Sequence, residues 1–159
     1  MTPRPALATD LPAAARLWHD VWHETHAPLM PPALAALRTH ADFATRLSAL
    51  RADLRVAGPK GAPVGFCAIR KDEMHQLFLA PEARGTGVAA RLLADAETRL
   101  ADRGYRRVWL DCAIGNDPAI RFYERHGWQR CGIRSLDLQT IDGPFRTDVL
   151  ILEKHLTTR

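Results

Sequence analysis

The sequence predicts an α/β fold with a mixed sheet and helices packed beside it. Apolar residues recur at helical spacing over residues 11–50, and strand-like patterns begin at residue 54. Residues 73–113 then form a strand–helix–strand segment, whose long crossover is typical of parallel neighbours. The chain of 159 residues is expected to form a single domain over residues 1–159.

The composition is that of a globular protein, with 47% hydrophobic and 25% charged residues. This excludes disordered, collagen-like and disulfide-scaffold classes. Charges interrupt every apolar run, so we expect no membrane span. The prolines and Asp10 near the N-terminus do not resemble a secretory signal, so the cytoplasm is the expected compartment.

The net charge and the cysteine spacing limit the ligands and partners that the chain is expected to bind. The 22 Lys and Arg against 18 Asp and Glu give a net charge of +4, which suits a phosphorylated ligand. Without a nucleic-acid recognition motif, we expect no nucleic-acid partner. Cys67, Cys112 and Cys131 lie far apart with no Cys-x-x-Cys pair, so neither a disulfide nor a zinc site is expected.

Two helices are predicted ahead of the first strand. Asp10 is the expected N-cap of a helix over residues 11–26. The prolines that follow end this helix, and a second one is predicted to carry on its apolar side Leu34, Leu37, Phe43, Leu47 and Leu50.

A hairpin is predicted next, from strands at residues 54–58 and 64–70. Lys71-Asp72 then reverses the chain into a third strand, EMHQLFLA. The strand period of two predicts that Glu73, His75, Leu77 and Leu79 share one face of this strand.

Glycine and proline mark the remaining elements. Pro81 ends the third strand, and a long helix follows Gly85 and Gly87 and stops near Gly104. A buried strand over residues 106–113 completes the crossover. A short helix is then expected, followed by two strands joined around a turn, which close the chain.

The turn containing Gly85 and Gly87 joins a strand to the longest helix. A helix N-terminus offers free N–H groups and a partial positive charge, and glycines let phosphate oxygens approach the backbone. We therefore predict a ligand with a pyrophosphate group. A plain tight turn is the alternative explanation for a glycine pair.

Arg84, Gly87 and Ala89 match the Gln/Arg-x-x-Gly-x-Gly/Ala signature of the GCN5-related N-acetyltransferase (GNAT) family, which this sequence resembles. LFLAP resembles the family's fourth strand, NDPAIRFYERHGW its later cofactor-contacting helix, and GPFRTDVLILEKHL its final strands. The resemblance covers about residues 64–156. It implies a mostly antiparallel central sheet in which two parallel strands splay apart, flanked by helices, with acetyl-CoA as co-substrate.

The resemblance also implies where acetyl-CoA binds. The pantetheine arm would pair with exposed backbone in the gap between EMHQLFLA and RRVWLDCA, much as an added strand does. Backbone amides after the strand would hold the pyrophosphate, and Asn116 would reach the pantetheine or its thioester end. The implied cofactor-binding residues are Leu77, Phe78, Leu79, Arg84, Gly85, Thr86, Gly87, Val88, Ala89, Asn116, Ala119 and Tyr123.

Acyl transfer to an amine needs a base, a donor to the developing oxyanion and a proton for the leaving thiolate. His75 and Glu73 are the candidate bases, because they are predicted to face the acetyl group and histidine titrates near neutral pH. Polar residues on a half-open sheet face are the alternative explanation. The Leu77 N–H is the candidate oxyanion donor. The resemblance implies that Tyr123 protonates the thiolate within a ternary complex.

The expected acceptor is a primary amine on a small molecule or peptide. The resemblance implies that the first helices and the terminal hairpin set acceptor specificity. Trp22, His26 and Met30, with Phe145 and Arg146 in the last loop, are therefore expected to shape the acceptor pocket. A homodimer is expected only by analogy with relatives.

Three histidines, His19, His23 and His26, lie on one side of the first helix. Their spacing differs from the His-Glu-x-x-His metal motif, so we expect no metal site. Lining the substrate mouth, or simply facing solvent, are the expected roles.

Two other classes of function stay open. Gly85-x-Gly87-x-x-Ala90 also fits a dinucleotide fingerprint, with Asp111 near the distance expected of a ribose-binding acid. An NAD-binding Rossmann-type oxidoreductase would need further βαβ units, whereas one helix and two strands follow Asp111, which favours a strand-end or sheet-edge role for it. A non-catalytic CoA-binding module would bind the cofactor without releasing thiol in the presence of an amine.

Overall fold

In the computed structural model, which describes residues 1–157, the elements follow the predicted order with two additions. The helices are α1 (Leu11–Thr25), α2 (Pro32–Leu37), α3 (His40–Leu50), α4 (Val88–Asp102) and α5 (Asp117–Arg125). The strands are β1 (Arg4–Pro5), β2 (Leu54–Ala57), β3 (Gly65–Arg70), β4 (Glu73–Leu79), β5 (Arg107–Cys112), β6 (Gln129–Thr140) and β7 (Gly143–His155).

The strands form one seven-stranded sheet in the order β1-β2-β3-β4-β5-β7-β6. Neighbours run antiparallel except β4 and β5, which are parallel and paired only at Glu73 and Trp109. Beyond that pair the two strands diverge. The predicted mixed sheet with splayed parallel strands is confirmed. A Rossmann-type sheet would contain several parallel strands, whereas within residues 1–157 one pair is parallel, so that alternative is not supported.

Two apolar clusters cover the two faces of the sheet. Along β3, Cys67 and Ile69 belong to the cluster that packs α4 and α5 onto one face. Phe66 and Ala68 belong to the cluster of α1 and α3, which is centred on Trp18. This alternation follows from the strand period of two. No helix of the described chain is long and apolar enough to cross a bilayer.

The predicted second helix is in fact two helices. Arg38 leaves the helical conformation with ψ of 66°, and α3 begins after Thr39. The Thr39 hydroxyl accepts a hydrogen bond from the Asp42 backbone N–H at 3.1 Å, which is a typical N-cap. The single-helix prediction is wrong because this cap interrupts the apolar spacing.

Asp10 does not cap α1. Its buried carboxylate pairs with Arg4 at 2.8 Å and accepts hydrogen bonds from the N–H groups of Leu7 and Gly61 at 2.7 and 2.9 Å. The hydrogen bond from Arg4 and these two amides hold the pKa of Asp10 well below its usual range. Asp10 therefore ties the N-terminal segment, with its short strand β1, to the loop before β3.

A β-bulge interrupts β4 at His75. Ala68 of β3 pairs with Gln76, but the next residue, Ile69, pairs with Met74. The extra residue on β4 reverses the alternation of side chains at this point.

The bulge corrects the predicted face of β4. Met74 lies in the same apolar cluster as Leu77 and Leu79, whereas strict alternation would place it with Phe78. The prediction that Glu73 shares a face with Leu77 and Leu79 is therefore wrong. Periodicity cannot detect an inserted residue, because the bulge depends on hydrogen-bond register.

Candidate functional site

The divergence of β4 and β5 opens a cleft that is continuous with solvent. Its walls come from β4, β5, α1, α5 and β6. Among the described residues, none of β4 beyond Glu73 pairs with β5, so this edge of β4 offers its backbone groups to the cleft. The predicted site residues that line it are Trp22, His26, Met30, Glu73, His75, Leu77, Phe78, Asn116, Ala119 and Tyr123.

The glycine turn lies outside this lining, at the C-terminal end of β4 and the start of α4. Gly85 and Gly87 have φ of 74° and 86°, and a Cβ built on either meets no atom within 4 Å. The Thr86 hydroxyl donates to the Ala83 carbonyl and closes the turn. The turn is thus open to solvent at a helix N-terminus, whose first amides have no partner within the helix, and it can accept an anionic group.

Arg84 contributes to this turn through its backbone. Its guanidinium pairs with Glu24 of α1 at 2.8 Å, on the protein surface. Val88 is buried as the first residue of α4, while Ala89 and Leu79 are half-buried. The Arg84 N–H donates to the Pro81 carbonyl at 3.2 Å, so the amides of residues 85–89 are the groups that could face a phosphate.

Glu73 and His75 form a hydrogen-bonded pair in the cleft. The Glu73 carboxylate is 2% exposed; Oε1 accepts from Arg70 at 3.1 Å and Oε2 lies 3.1 Å from Nδ1 of His75. An ionised carboxylate only accepts hydrogen bonds, so this contact places the ring proton on Nδ1. Nε2 of His75 then carries a lone pair.

Asp111 lies near the end of β5, as the sequence predicted, and it lines the same cleft. Burial and the neighbouring charge of Glu73 raise the pKa of Asp111 to about 7. A carboxyl group that titrates near neutral pH is suited to proton transfer. A polar residue near the end of an otherwise buried strand was the only sequence signal for it.

Tyr123 of α5 points its buried ring into the cleft wall, beside Phe122 and Trp128. No hydrogen bond within residues 1–157 involves its hydroxyl. Burial, helped by the nearby Cys112 and Asp111, raises the pKa of Tyr123 well above its ordinary value. The hydroxyl therefore stays protonated and can act as a proton donor.

The buried thiols are not activated. Burial raises the pKa of both Cys67 and Cys112 to about 12, so neither is a thiolate at neutral pH. A covalent cysteine intermediate finds no nucleophile in these two residues.

Of the five predicted acceptor residues, the structure places three in the cleft and two outside it. Trp22, His26 and Met30 line the cleft, and burial lowers the pKa of His26 to about 4, which keeps it neutral. Phe145 and Arg146 lie in strand β7 rather than in a loop, because β6 and β7 extend to a tight turn at residues 141–142. Neither lines the cleft.

The terminal hairpin reaches the cleft through its other strand. Residues 136–139 of β6 line it, while Phe145 packs against the α1 cluster. Arg146 pairs with Asp137 at 3.3 Å on an exposed surface. The terminal hairpin was predicted to shape the acceptor pocket, and it lines the cleft with strand β6 rather than with Phe145 and Arg146 of β7.

The rings of His19 and His23 on α1 lie 4.5 Å apart, and His26 follows the helix directly, but the three histidines make different polar contacts. His23 Nε2 lies 2.6 Å from the Arg38 carbonyl oxygen, and His26 lines the cleft. His19 stacks on His40 at 3.6 Å and lies 2.9 Å from Asp20.

Sequence reasoning did not anticipate the basic end of the cleft, which we define as Trp18, Arg38, Asp42 and Arg46. Arg38 and Arg46 both contact Oδ2 of Asp42, at 3.0 and 3.4 Å. Their spacing of four residues on either side of Asp42 was the available signal. Charged residues on a solvent-exposed helix face have the same spacing, so the sequence alone does not distinguish a surface charge pattern from a basic site in the cleft.

Known proteins share this chain's sequence pattern and fold. A family model described as Acetyltransferase (GNAT) family matches residues 13–128. An uncharacterized N-acetyltransferase of Mycobacterium bovis is 34% identical over 122 residues, which are 68% of this chain and 78% of that protein.

Two solved structures illustrate the likeness of the fold. A GCN5-related N-acetyltransferase from Rhodopseudomonas palustris gives a TM-score of 0.75 at 22% identity, over 98% of this chain and 97% of the other. An N-acetyltransferase from Thermoplasma acidophilum in complex with coenzyme A gives 0.69 at 17% identity, over 96% and 97% of the two chains.

Proposed function

The chain belongs to the acetyltransferase (GNAT) family, and we propose that it moves an acetyl group from acetyl-CoA to a primary amine by direct attack in the cleft between β4 and β5. Acetyl-CoA-dependent N-acetyltransfer is the activity that family membership supports, and family members act on amines of peptides or small molecules. The residue roles below, and attack within a ternary complex, are our proposals.

The observation that carries the proposal is the single pairing of β4 with β5 at Glu73 and Trp109. Beyond it, an unpaired strand edge borders a cleft that also contains His75, Asp111 and Tyr123. A pantetheine arm can hydrogen-bond to such an edge as an added strand. Proton donors and acceptors then surround the position where its thioester would end.

The glycine turn supports binding of the pyrophosphate. Gly85 and Gly87 leave open space in front of the N-terminus of α4, so backbone amides of residues 85–89 can donate to phosphate oxygens. Asn116 and Ala119, at the start of α5, are proposed to contact the pantetheine.

His75 is proposed to accept the proton of the attacking amine, directly or through water. Glu73 holds Nδ1–H of the ring, so Nε2 remains as the basic atom, and Arg70 in turn positions Glu73. In this scheme Glu73 is a positioning residue. Asp111 is the alternative proton acceptor, because its pKa of about 7 is matched to the task.

Tyr123 is proposed to donate its proton to the leaving thiolate, because its side chain lines the cleft and its hydroxyl is protonated at neutral pH. The Leu77 N–H is proposed to donate to the developing oxyanion. Acetyl-CoA supplies the activated acetyl group. Attack of the amine forms the C–N bond and breaks the C–S bond, so one proton leaves the amine and one reaches sulfur.

Release of free thiol from acetyl-CoA tests this function directly. The purified chain is incubated with acetyl-CoA and a panel of primary amines, and acetylated product is identified by mass spectrometry. We expect amine-dependent thiol release that Tyr123→Phe slows. Tight acetyl-CoA binding with no amine-dependent release would instead establish a non-catalytic CoA-binding module.

Two coarser expectations also remain proposals. Residues 1–159 are proposed to act as one domain, because the two apolar clusters pack on opposite faces of the same sheet. A homodimer is proposed by analogy, with β6 as an edge strand available for pairing. Light scattering after size-exclusion chromatography measures the oligomeric state.

A further inference from the structure

Two buried hydrogen-bond donors at the basic end of the cleft have no partner among the described residues. They are Nε1 of Trp18 and Nε of Arg38. Both residues line the cleft and are only 1% and 3% exposed. Buried N–H groups are nearly always paired, because an unpaired donor has lost its water and gained nothing in return. Two such donors, on residues that line the same cleft, favour a ligand group that accepts hydrogen bonds.

The free atoms of Arg38 have the geometry of a carboxylate site. Its hydrogen bonds to Asp42 and to the Gln139 carbonyl both come from Nη1. The edge formed by Nε and Nη2 is therefore left for another partner. A guanidinium edge with two parallel N–H groups matches the two oxygens of a carboxylate.

The charges at this end of the cleft also favour an anion. Arg38 and Arg46 share one carboxylate, that of Asp42, so the basic end carries one excess positive charge. The Arg46 guanidinium lies over the Trp18 indole, 4.3 Å from its centroid. Arg70 lines the same cleft, but its guanidinium is paired with Glu73.

The electrostatics of Arg46 agree with this excess. Burial, together with the positive charges of Arg38 and Arg70, lowers the pKa of Arg46 to about 9 despite its contact with Asp42. An anionic ligand beside Arg46 would relieve that repulsion. Of the acidic residues that line the cleft, Glu73 is paired with Arg70 and Asp137 with Arg146, so neither neutralises this excess.

We propose that the acceptor amine carries a carboxylate at its other end, bound by Trp18, Arg38 and Arg46 while the amino group lies toward His75. This inference rests on the proposed acetyl transfer and names the substrate class: an amino acid, or a related amine with a carboxylate. Other oxyanions share the hydrogen-bonding chemistry, but a planar carboxylate best matches one guanidinium edge and one indole N–H.

The test compares amines that differ only in the distant group. β-Alanine, taurine, 2-aminoethyl phosphate and β-alaninamide present a carboxylate, a sulfonate, a phosphate and a neutral amide at similar distance from the amine. A longer pair, 4-aminobutanoate and its amide, and a set of α-amino acids with their amides allow for the unknown span of the cleft. Thiol release gives kcat/KM for each compound, and calorimetry gives its affinity for the CoA-bound protein.

We expect the best carboxylate to exceed its own amide by at least about tenfold in kcat/KM, since hydrogen bonds to charged groups are strong. Trp18→Phe removes the indole N–H and keeps an aromatic ring, and Arg46→Gln removes the excess charge. Each should reduce the carboxylate-to-amide ratio severalfold. This ratio does not depend on the fraction of active enzyme, so partial misfolding does not mimic the effect.

Arg55→Gln is the matched control. Arg55 lies on β2, 4.0 Å from Asp95, and it does not line the cleft. Its substitution removes one arginine and should leave the carboxylate-to-amide ratio unchanged.

The outcomes separate failure of this inference from failure of the proposed function. Acetyl transfer to amides as fast as to carboxylates overturns the inference and leaves the transferase intact. A higher rate for taurine or 2-aminoethyl phosphate than for every carboxylate overturns the choice of carboxylate. If no amine is acetylated, the proposed function fails. In that case, calorimetric binding that favours carboxylates over amides and is lost in Trp18→Phe would still support the anion site. Equal binding of carboxylates and amides would overturn the anion site as well.

Discussion

Gly87→Ala should separate cofactor binding from stability at the glycine turn. Gly87 has φ of 86°, and its built Cβ meets no protein atom within 4 Å. The substitution therefore adds backbone strain of about 1–2 kcal/mol without a steric clash inside the protein. For a chain of this length, that corresponds to a fall in Tm of roughly 2–8 °C.

Gly104→Ala provides a control at the opposite end of the same helix. Gly104 has φ of 90°, and its built Cβ also meets no atom within 4 Å. The strain, and so the loss of stability, should be similar. The two variants differ in what lies in front of the added methyl group: the proposed pyrophosphate site at Gly87, and solvent beyond the C-terminus of α4 at Gly104.

Calorimetric titration with CoA and thermal denaturation measure the two effects. We expect Gly87→Ala to raise the Kd for CoA by about tenfold or more, because displacement of the phosphate lengthens several charge-assisted hydrogen bonds. Gly104→Ala should leave the Kd unchanged. Binding of pantetheine, which lacks the pyrophosphate, should be equal in both variants. Equal Kd values for CoA in the two variants would refute the assignment of the pyrophosphate site.

Three further predictions concern proton transfer and pH. Tyr123→Phe should lower kcat by about a hundredfold, as expected for loss of a general acid, with the Kd for acetyl-CoA within about twofold of wild type; an unchanged kcat contradicts the assigned role. His75→Gln should lower kcat/KM at every pH if His75 is the base, whereas Asp111→Asn should lower it and remove the acidic limb of its pH profile if Asp111, with its pKa of about 7, is the base. Asp111 also affects stability, because its pKa rises from 3.8 to about 7 on folding. The folded state therefore binds the proton more tightly than the unfolded state. The stabilisation that results is fully present below pH 3.8 and is lost as the pH rises through 7. The loss reaches at most about 4 kcal/mol, because the side chain is partly solvated. The Tm gained by Asp111→Asn, measured by calorimetry, should therefore increase between pH 5 and pH 8; a constant difference contradicts the assigned pKa.

The parts of the fold that depend on local sequence could be predicted. Helix α4 begins after Gly87 and ends before Gly104, because the glycines adopt positive φ at both of its boundaries. Strand β1 contains two residues, which is too few for a periodic pattern. The bulge at His75 depends on pairing with β3, and no feature of the β4 sequence alone specifies that register.

In the candidate site, too, the parts that depend on one continuous segment could be predicted and the parts that depend on tertiary packing could not. The glycine turn and Tyr123 belong to motifs that are continuous in sequence, so their neighbourhood could be inferred from one segment. The basic end of the cleft could not, because Trp18 and Arg46 come from different helices and meet only when α1 packs against α3. The sequence also did not reveal that Arg146 would lie within strand β7, paired with Asp137, rather than in a loop that lines the cleft.

A crystal structure of the chain with bound CoA tests the central claim most directly. We predict pyrophosphate oxygens within hydrogen-bonding distance of the amides of residues 85–89, and the CoA sulfur in the gap between β4 and β5 beside the Tyr123 hydroxyl. CoA bound elsewhere, or β4 and β5 paired along their full length in the complex, would contradict it.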